Sequence, residues 1–130
     1  METNQPLILI VDDEGDFREI LGTKLKAAGF LVEEASSGAE GLEKAGKIGP
    51  DLIILDVNMP NLSGVETLGQ FKSDPVLAKI KVIFLTNYGD MKETALWLDE
   101  KFAREIGAYD YIRKSDDIDK IVEEIKFALK

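Results

Sequence analysis

Short continuous apolar runs, each four or five residues long, constrain the fold of this chain most. They occupy residues 7–11, 52–55 and 82–85 and are rich in Leu, Ile and Val. A strand with one face in water alternates apolar and polar residues, so an unbroken run of this length is typical of a strand buried on both faces. Two weaker strands are predicted at residues 31–35 and 109–112. The pattern therefore predicts a sheet of short strands.

Helical periodicity fills the intervals between these strands, because apolar residues recur there every three or four positions. Gly29 and Gly107 are the expected ends of the first and fourth helices. Ser115 or Asp116 is the expected cap of the last helix. The predicted helices cover residues 17–28, 39–45, 65–71, 96–106 and 118–129.

The order of these elements is a strand followed by a helix, repeated along the whole chain. Right-handed crossovers then place helices on both faces of a parallel sheet. We therefore expect a doubly wound α/β fold. In such folds ligands bind outside the carboxyl ends of the strands, near the point where the strand order reverses.

Composition excludes several classes of chemistry. The chain has no cysteine and no histidine, which excludes disulfides, thiolate metal sites and a histidine general base. Its net charge of −9 disfavours direct contact with nucleic acid or anionic lipid. No apolar run is long enough to predict a membrane span. We expect a cytoplasmic protein whose chemistry depends on carboxylates, hydroxyls or lysine.

Polar side chains follow the predicted strands at the edge where ligands bind. Asp12 and Asp13 follow the first strand, Asp56 the third, Thr86 the fourth and Lys114 the fifth. A single Asp after a strand is usually a turn former or a helix cap. Because these residues coincide at the ends of four different strands, we favour one shared site.

The residue types in this predicted site suit phosphoryl transfer. Clustered carboxylates such as Asp12, Asp13 and Asp56 repel one another, and Mg²⁺ removes that conflict because it binds carboxylate and phosphate oxygens. Lys114 can neutralise part of the charge of a transferring phosphoryl group. An aspartate can then act as the nucleophile, while Thr86 can donate a hydrogen bond to the new phosphoryl oxygens.

With these residues in place, the sequence resembles the response-regulator receiver domain of two-component signalling, in a chemotaxis-regulator-like form. The resemblance extends from Pro6 to the end of the chain, and the order and spacing of the motifs make it specific. The motifs are IVDDE at residues 10–14, LDVNMP at 55–60 followed by Gly64, LT at 85–86, GA at 107–108 and YIRK at 111–114.

The resemblance implies a flavodoxin-like doubly wound (βα)5 fold with a five-stranded parallel sheet, and it assigns roles to individual residues. Asp56 is similar to the phosphorylated aspartate of the family. Asp12 and Asp13 are similar to its metal-binding acids, with Mg²⁺ as the cofactor. Asn58 is similar to the residue that lends a backbone carbonyl to the metal.

The same resemblance implies how the signal would be read. Lys114 is similar to the lysine that pairs with the phosphate. Thr86 and Tyr111 are similar to the switch pair, in which the hydroxyl moves inward on phosphorylation and the aromatic ring follows. The face formed by the fourth helix, fifth strand and fifth helix would then change.

The resemblance also implies partners. A histidine kinase or phosphotransfer protein would donate the phosphoryl group, since the chain has no histidine of its own. We expect residues 1–130 to form a single receiver domain without an output domain. Such a chain would act on a downstream protein target as a monomer or a phosphorylation-dependent dimer, without contacting DNA or membrane directly. It would catalyse its own phosphorylation and dephosphorylation but would not be a turnover enzyme.

Two alternatives stay open, and departures from the family pattern are visible. The alternatives are a pseudo-receiver that serves as a protein-interaction module without being phosphorylated, and an aspartate-nucleophile phosphatase or phosphotransferase. Ser115 follows Lys114 where the family usually has proline, so we expect a trans peptide bond and a different loop there. Residues 88–107 form a longer segment than the family pattern predicts, in a region used for output or dimerisation.

Overall fold

The computed structural model describes residues 5–57, 64–86 and 107–130. Within these ranges, five strands form one parallel sheet in the order β2-β1-β3-β4-β5. This topology confirms the predicted doubly wound α/β fold. The strands are β1 (Leu7–Val11), β2 (Leu31–Ala35), β3 (Leu52–Asp56), β4 (Lys81–Thr86) and β5 (Asp110–Arg113).

Four α-helices and one short 3₁₀ helix connect or follow the strands in the described ranges. The predicted helix at residues 96–106 lies outside the described residues. No described helix is long and apolar enough to cross a membrane. The helices are α1 (Gly15–Ala27), α2 (Gly38–Ile48), α3 (Gly64–Ser73) and the C-terminal helix α4 (Ile118–Ala128), with the 3₁₀ helix at Leu77–Lys79.

Each face of the sheet has its own hydrophobic core, because successive strand residues point to opposite faces. Ile53 and Leu55 of β3 belong to the core under α2 and α3, which contains the buried ring of Phe71. Leu52 and Ile54 belong to the core under α1 and α4. Burial on both faces explains why the central strands are unbroken apolar runs.

The structure corrects several predicted element ends. Ladder pairing continues past the apolar runs of β3 and β4, since Asp56 pairs with Leu85 and Thr86 pairs with Arg113. Both polar residues are therefore the last residues of their strands rather than the first residues after them. Helix α2 also extends three residues beyond the predicted range, to Ile48.

The predicted cap of the last helix at Ser115 or Asp116 is wrong. Asp117 occupies the N-cap position of α4, and its side chain makes no capping hydrogen bond. The N-cap lies later in the chain because the amide of Asp116 donates to the carbonyl of Arg113 in a turn that precedes the helix.

The strand order reverses between β1 and β3. β1 lies between β2 and β3, so the chain leaves it toward one side of the sheet and later returns to the other. A crevice opens at such a point above the carboxyl ends of the strands. Asp12 directly follows β1 and Asp56 ends β3, so both residues lie at this switch point.

Candidate functional site

Three aspartates come together at the switch point. Asp12 and Asp56 are buried, whereas Asp13 is exposed. One carboxylate oxygen of each residue lies within 4.8 Å of the others. Two ligands on opposite sides of Mg²⁺ are about 4.2 Å apart at its usual Mg–O distance of about 2.1 Å. The cluster is therefore of a size and chemistry that can hold a hard divalent cation.

Hydrogen bonds fix the turn that carries the first two acids. The amide of Asp12 donates to the carbonyl of Ala35 at 3.0 Å, and Asp12 Oδ1 accepts from the amide of Glu14 at 2.9 Å. Arg18 Nη1 donates to the carbonyl of Asp12 at 2.6 Å, while Arg18 Nε donates to Glu34 Oε1 at 2.9 Å. The guanidinium thus ties the turn to the edge strand β2.

The ammonium of Lys114 lies among the acids. Its Nζ is 2.8 Å from Asp12 Oδ2, 2.6 Å from Glu14 Oε1 and 3.5 Å from Asp56 Oδ2. The backbone amide of Lys114 donates to the carbonyl of Thr86 at 2.8 Å, so the β4–β5 ladder continues into the loop and positions the side chain. No cis peptide bond occurs in the described ranges, which confirms the trans bond expected before Ser115.

The electrostatics of Lys114 reflect these neighbours. Burial would by itself lower the pKa of this lysine, but hydrogen bonds to Asp12 and Glu14 and the charge of Asp56 outweigh that effect. The pKa of Lys114 is therefore raised above its ordinary value. The lysine stays protonated at neutral pH and presents a full positive charge beside the Asp56 carboxylate.

Gly64 brings the start of α3 against the end of β3. Its amide donates to the carbonyl of Val57 at 3.0 Å. A Cβ atom at this position would lie 2.4 Å from the carbonyl oxygen of Asp56 and 2.7 Å from Cα of Val57. Such distances are too short for any side chain, so only glycine allows this approach.

Thr86 and Tyr111 lie on the same face of the sheet. Thr86 alternates with Val82 and Phe84 along β4, and Tyr111 of β5 pairs with Phe84. Thr86 is buried, and its Oγ1 has no hydrogen-bond partner among the described residues. Tyr111 is half-buried against the same core. A buried hydroxyl without a partner is costly in the resting protein, and it can donate to a group that arrives at the site.

The structure thus brings together the predicted residues Asp12, Asp13, Asp56, Lys114 and Thr86, with Tyr111 one strand away. Asn58 and residues 88–106 of the lengthened segment lie outside the described residues.

Sequence reasoning missed two contacts at this site. It assigned neither Glu14 nor Arg18 to a contact within the site. Their partners, Lys114 and Glu34, lie 100 and 16 residues away in the chain, and no local pattern reveals such pairs. The one sequence feature that could have indicated a role for Glu14 in the site is its acidic side chain directly after Asp12 and Asp13.

The fold and the site together define a class of protein: a doubly wound α/β domain with an acidic cluster, able to hold a cation, at the switch point of its sheet. Residues 8–126 match the family described as the response regulator receiver domain. The chain therefore belongs to this family, whose members are signalling switches of two-component systems.

Curated relatives agree with this membership. The chain is 33% identical over 119 residues to sporulation initiation phosphotransferase F of Bacillus subtilis, covering 92% of this chain and 90% of the relative. It is 30% identical over 125 residues to the DNA-binding dual master transcriptional regulator RpaA of Synechocystis, covering 96% of this chain and 49% of that regulator. The chain thus spans about half the length of the regulator.

Solved structures show the same fold. The Vibrio cholerae chemotaxis response regulator CheY4 superposes with a TM-score of 0.83 at 26% identity, covering 97% of this chain and 100% of that one. A CheY-like receiver domain protein from Methanospirillum hungatei superposes with a TM-score of 0.80 at 29% identity, covering 97% and 94%. Because the curated relatives include a DNA-binding regulator, they give no support to the expectation that this protein makes no contact with DNA.

Proposed function

We propose that this protein is a phosphorylation-dependent signalling switch whose acceptor is Asp56. The observation that carries the proposal is the buried Asp56 carboxylate, which lies 3.5 Å from the Lys114 ammonium and within 4.8 Å of two further aspartates. A buried carboxylate at a switch point, with a cation-binding cluster on one side and a lysine on the other, suits attack on a phosphoryl group.

The proposed reaction transfers one phosphoryl group. A carboxylate oxygen of Asp56 attacks the phosphorus of a phosphohistidine on a histidine kinase or phosphotransfer protein. The new O–P bond forms as the P–N bond breaks, and the leaving imidazole nitrogen takes up a proton from solvent. Lys114 stays protonated and pairs with the phosphoryl oxygens. Mg²⁺ at Asp12, Asp13 and the backbone carbonyl of Asn58 would supply further charge neutralisation.

The proposed readout uses the face that Thr86 and Tyr111 share. The Thr86 hydroxyl would donate to a phosphoryl oxygen, and the Tyr111 ring would move toward the space that the hydroxyl leaves. Shifting a two-state balance from about 1:99 to 99:1 takes roughly 5.5 kcal/mol. One charge-assisted hydrogen bond gives about 1.5–3 kcal/mol, so Lys114, the cation and ring packing must supply the rest.

The test is phosphorylation by a small donor. The protein is incubated with Mg²⁺ and acetyl phosphate, and intact mass is measured. We expect the mass of one phosphoryl group to be added to the wild type and to Asp16→Asn, a control at an exposed acid in α1. We expect no addition to Asp56→Asn. A wild type that stays unmodified, and that is also unchanged in NMR spectra with beryllofluoride, would instead favour the pseudo-receiver alternative.

The partners and location complete the proposal. They comprise a histidine kinase or phosphotransfer donor and a downstream protein target. The proposed location is the cytoplasm. Light scattering before and after beryllofluoride addition distinguishes a constant monomer from a phosphorylation-dependent dimer.

A further inference from the structure

Glu14 occupies the N-cap position of α1 without acting as a cap. Ser, Thr, Asp and Asn are preferred there because their short side chains accept hydrogen bonds from the first helical amides. The Glu14 side chain makes no such bond. Its Oε1 instead lies 2.6 Å from Lys114 Nζ, 100 residues away in the chain. Glu14 therefore does not stabilise the helix as a cap, and its carboxylate contacts Lys114 inside the candidate site instead.

Among the described residues, this contact has the shortest distance of the three ion pairs that Lys114 makes. Asp12 lies at 2.8 Å and Asp56 at 3.5 Å. The Lys114 side chain is 9% exposed, whereas that of Glu14 is 55% exposed. Glu14 therefore covers the ammonium from the solvent side, at the border of an open cavity of about 640 Å³ that Glu14, Phe17 and Lys114 help to line.

The same contact draws the lysine toward the outer side of the site. In this arrangement Lys114 is closer to Glu14 and Asp12 than to Asp56. A phosphoryl group on Asp56 needs that ammonium as its counter-charge. The phosphoryl oxygens and the Glu14 carboxylate therefore compete for the same three N–H donors of one side chain.

We propose that Glu14 is a positioning residue that latches Lys114 in the unphosphorylated state and so opposes phosphorylation of Asp56. The proposal rests on the proposed function, since it deepens the role of the same site. The latch favours the resting state because its ion pair is weakened when Lys114 turns to the phosphoryl group. Ion pairs with one exposed partner are modest in strength, so removing the latch should strengthen binding of a phosphoryl mimic about two- to fivefold.

The first experiment measures the affinity for beryllofluoride in the presence of Mg²⁺ by NMR titration. We expect Glu14→Gln, which keeps the shape and removes the charge, to bind the mimic two- to fivefold more tightly than wild type. Asp16→Asn is the matched control, because it removes one negative charge from the first turn of the same helix without contacting Lys114. We expect its affinity to equal that of the wild type.

A second variant separates contact from charge. Glu14→Asp keeps the charge, but an Asp at an N-cap turns its short side chain to the helix amides. We expect it to release Lys114 and to behave like Glu14→Gln. Suppose that Glu14→Asp binds beryllofluoride with wild-type affinity while Glu14→Gln binds it more tightly. The effect would then come from the charge at residue 14 and not from its contact with Lys114, and the latch proposal would be overturned. Equal tightening by Asp16→Asn overturns it as well.

A measurement without cation or phosphoryl mimic tests the contact itself. A double-mutant cycle of Glu14→Gln and Lys114→Met, followed by urea unfolding in EDTA, should give non-additive shifts of the unfolding midpoint. Additive shifts contradict the latch. A wild type that does not respond to beryllofluoride overturns the proposed function and the latch together. A responsive wild type with unchanged Glu14 variants overturns the latch alone.

Discussion

At Gly64, the backbone of α3 approaches the backbone of Asp56, the proposed acceptor. Gly64→Ala should lower the free energy of unfolding by about 1–3 kcal/mol, because its Cβ would lie 2.4 Å from the Asp56 carbonyl oxygen and the strand end would have to shift. The same shift should weaken binding of beryllofluoride. Urea unfolding and NMR titration measure the two effects.

Gly69 provides the control in the same helix. It is exposed, and no described atom lies within 4 Å of a Cβ built there. Gly69→Ala should therefore raise the free energy of unfolding by about 0.5–1 kcal/mol, since alanine is the better helix former. Equal effects of the two substitutions would mean that the approach of Gly64 to β3 is unimportant.

The buried hydroxyl of Thr86 has no hydrogen-bond partner among the described residues. Thr86→Val keeps the shape and removes this buried polar atom, so the free energy of unfolding should rise by about 1 kcal/mol. Thr86→Val and Thr86→Ala should both accept a phosphoryl group yet bind the downstream partner poorly. Intact-mass spectrometry measures phosphorylation of each variant, and a binding assay measures the affinity of the phosphorylated variant for the partner.

Thr86→Ser is the matched control for the hydroxyl. It retains the donor and should keep the response to beryllofluoride, although the lost methyl group makes it less stable. If phosphorylated Thr86→Ala bound the partner as well as phosphorylated wild type, Thr86 would not be part of the readout.

The residues of the candidate site differ in how far the sequence could predict them. Asp12, Asp13, Asp56 and Lys114 follow or end strands, and parallel strands bring their carboxyl ends to one edge, so spacing alone was enough to group them. The latch contact of Glu14 could not be predicted, because it depends on the side-chain direction at an N-cap.

At the scale of elements, sequence periodicity predicted which segments form strands and helices but not where they end. β3 gains Asp56, and β4 gains Lys81 and Thr86, because ladder hydrogen bonds do not depend on the side chain. Helix α4 begins at Ile118 as predicted, but its N-cap is Asp117 because a turn at residues 113–116 takes up the residues predicted to cap it. Hydrogen bonds between strands and within turns leave no periodic signal in the sequence.

Helix α4 carries an acid in an unfavourable environment. Burial raises the pKa of Glu124, Lys120 lowers it, and Asp116 and Asp110 raise it further, so that this pKa lies above its ordinary value of 4.5. The folded state therefore holds the proton more tightly than the unfolded state, and stability falls as pH rises between the unfolded and folded values. The penalty is complete above the folded pKa and absent below 4.5.

Glu124→Gln should remove this penalty. We expect its thermal midpoint to exceed that of wild type at pH 7 and to converge with it below about pH 4, where the carboxyl group is protonated in both states. Glu123→Gln is the control one residue away, since Glu123 is exposed and pairs with Lys126 at 3.2 Å. A Glu124→Gln advantage that persists at low pH would point to a cause other than ionisation.

At the scale of the whole molecule, the sheet order couples the site to both cores. The switch point between β1 and β3 places Asp12 and Asp56 above strands whose alternate residues pack under α2 and α3 on one face and under α1 and α4 on the other. A change of charge at this point therefore acts on strand ends that support both helical layers, while Thr86 and Tyr111 lie on the face covered by α2 and α3.

If the cluster binds a divalent cation, global stability should depend on that cation, and the effect of one substitution on stability should change sign when the cation is added. Asp13 is exposed, so Asp13→Asn buries no unpaired group. In EDTA the variant should be at least as stable as wild type, because one of the mutually repelling carboxylates is gone. With Mg²⁺ it should be less stable, because it binds the ion more weakly.

The magnitude follows from mass action. An ion that binds only the folded wild type stabilises it by about 2.7 kcal/mol at a hundred times its dissociation constant. Urea unfolding in EDTA and in a Mg²⁺ series measures both signs, and Asp16→Asn should follow the wild type throughout. If the free energy of unfolding of the wild type does not depend on Mg²⁺ concentration, or if Asp13→Asn shows the same dependence as the wild type, the cation does not bind at this site. Phosphorylation would then have to proceed with Lys114 as the main counter-charge beside Asp56.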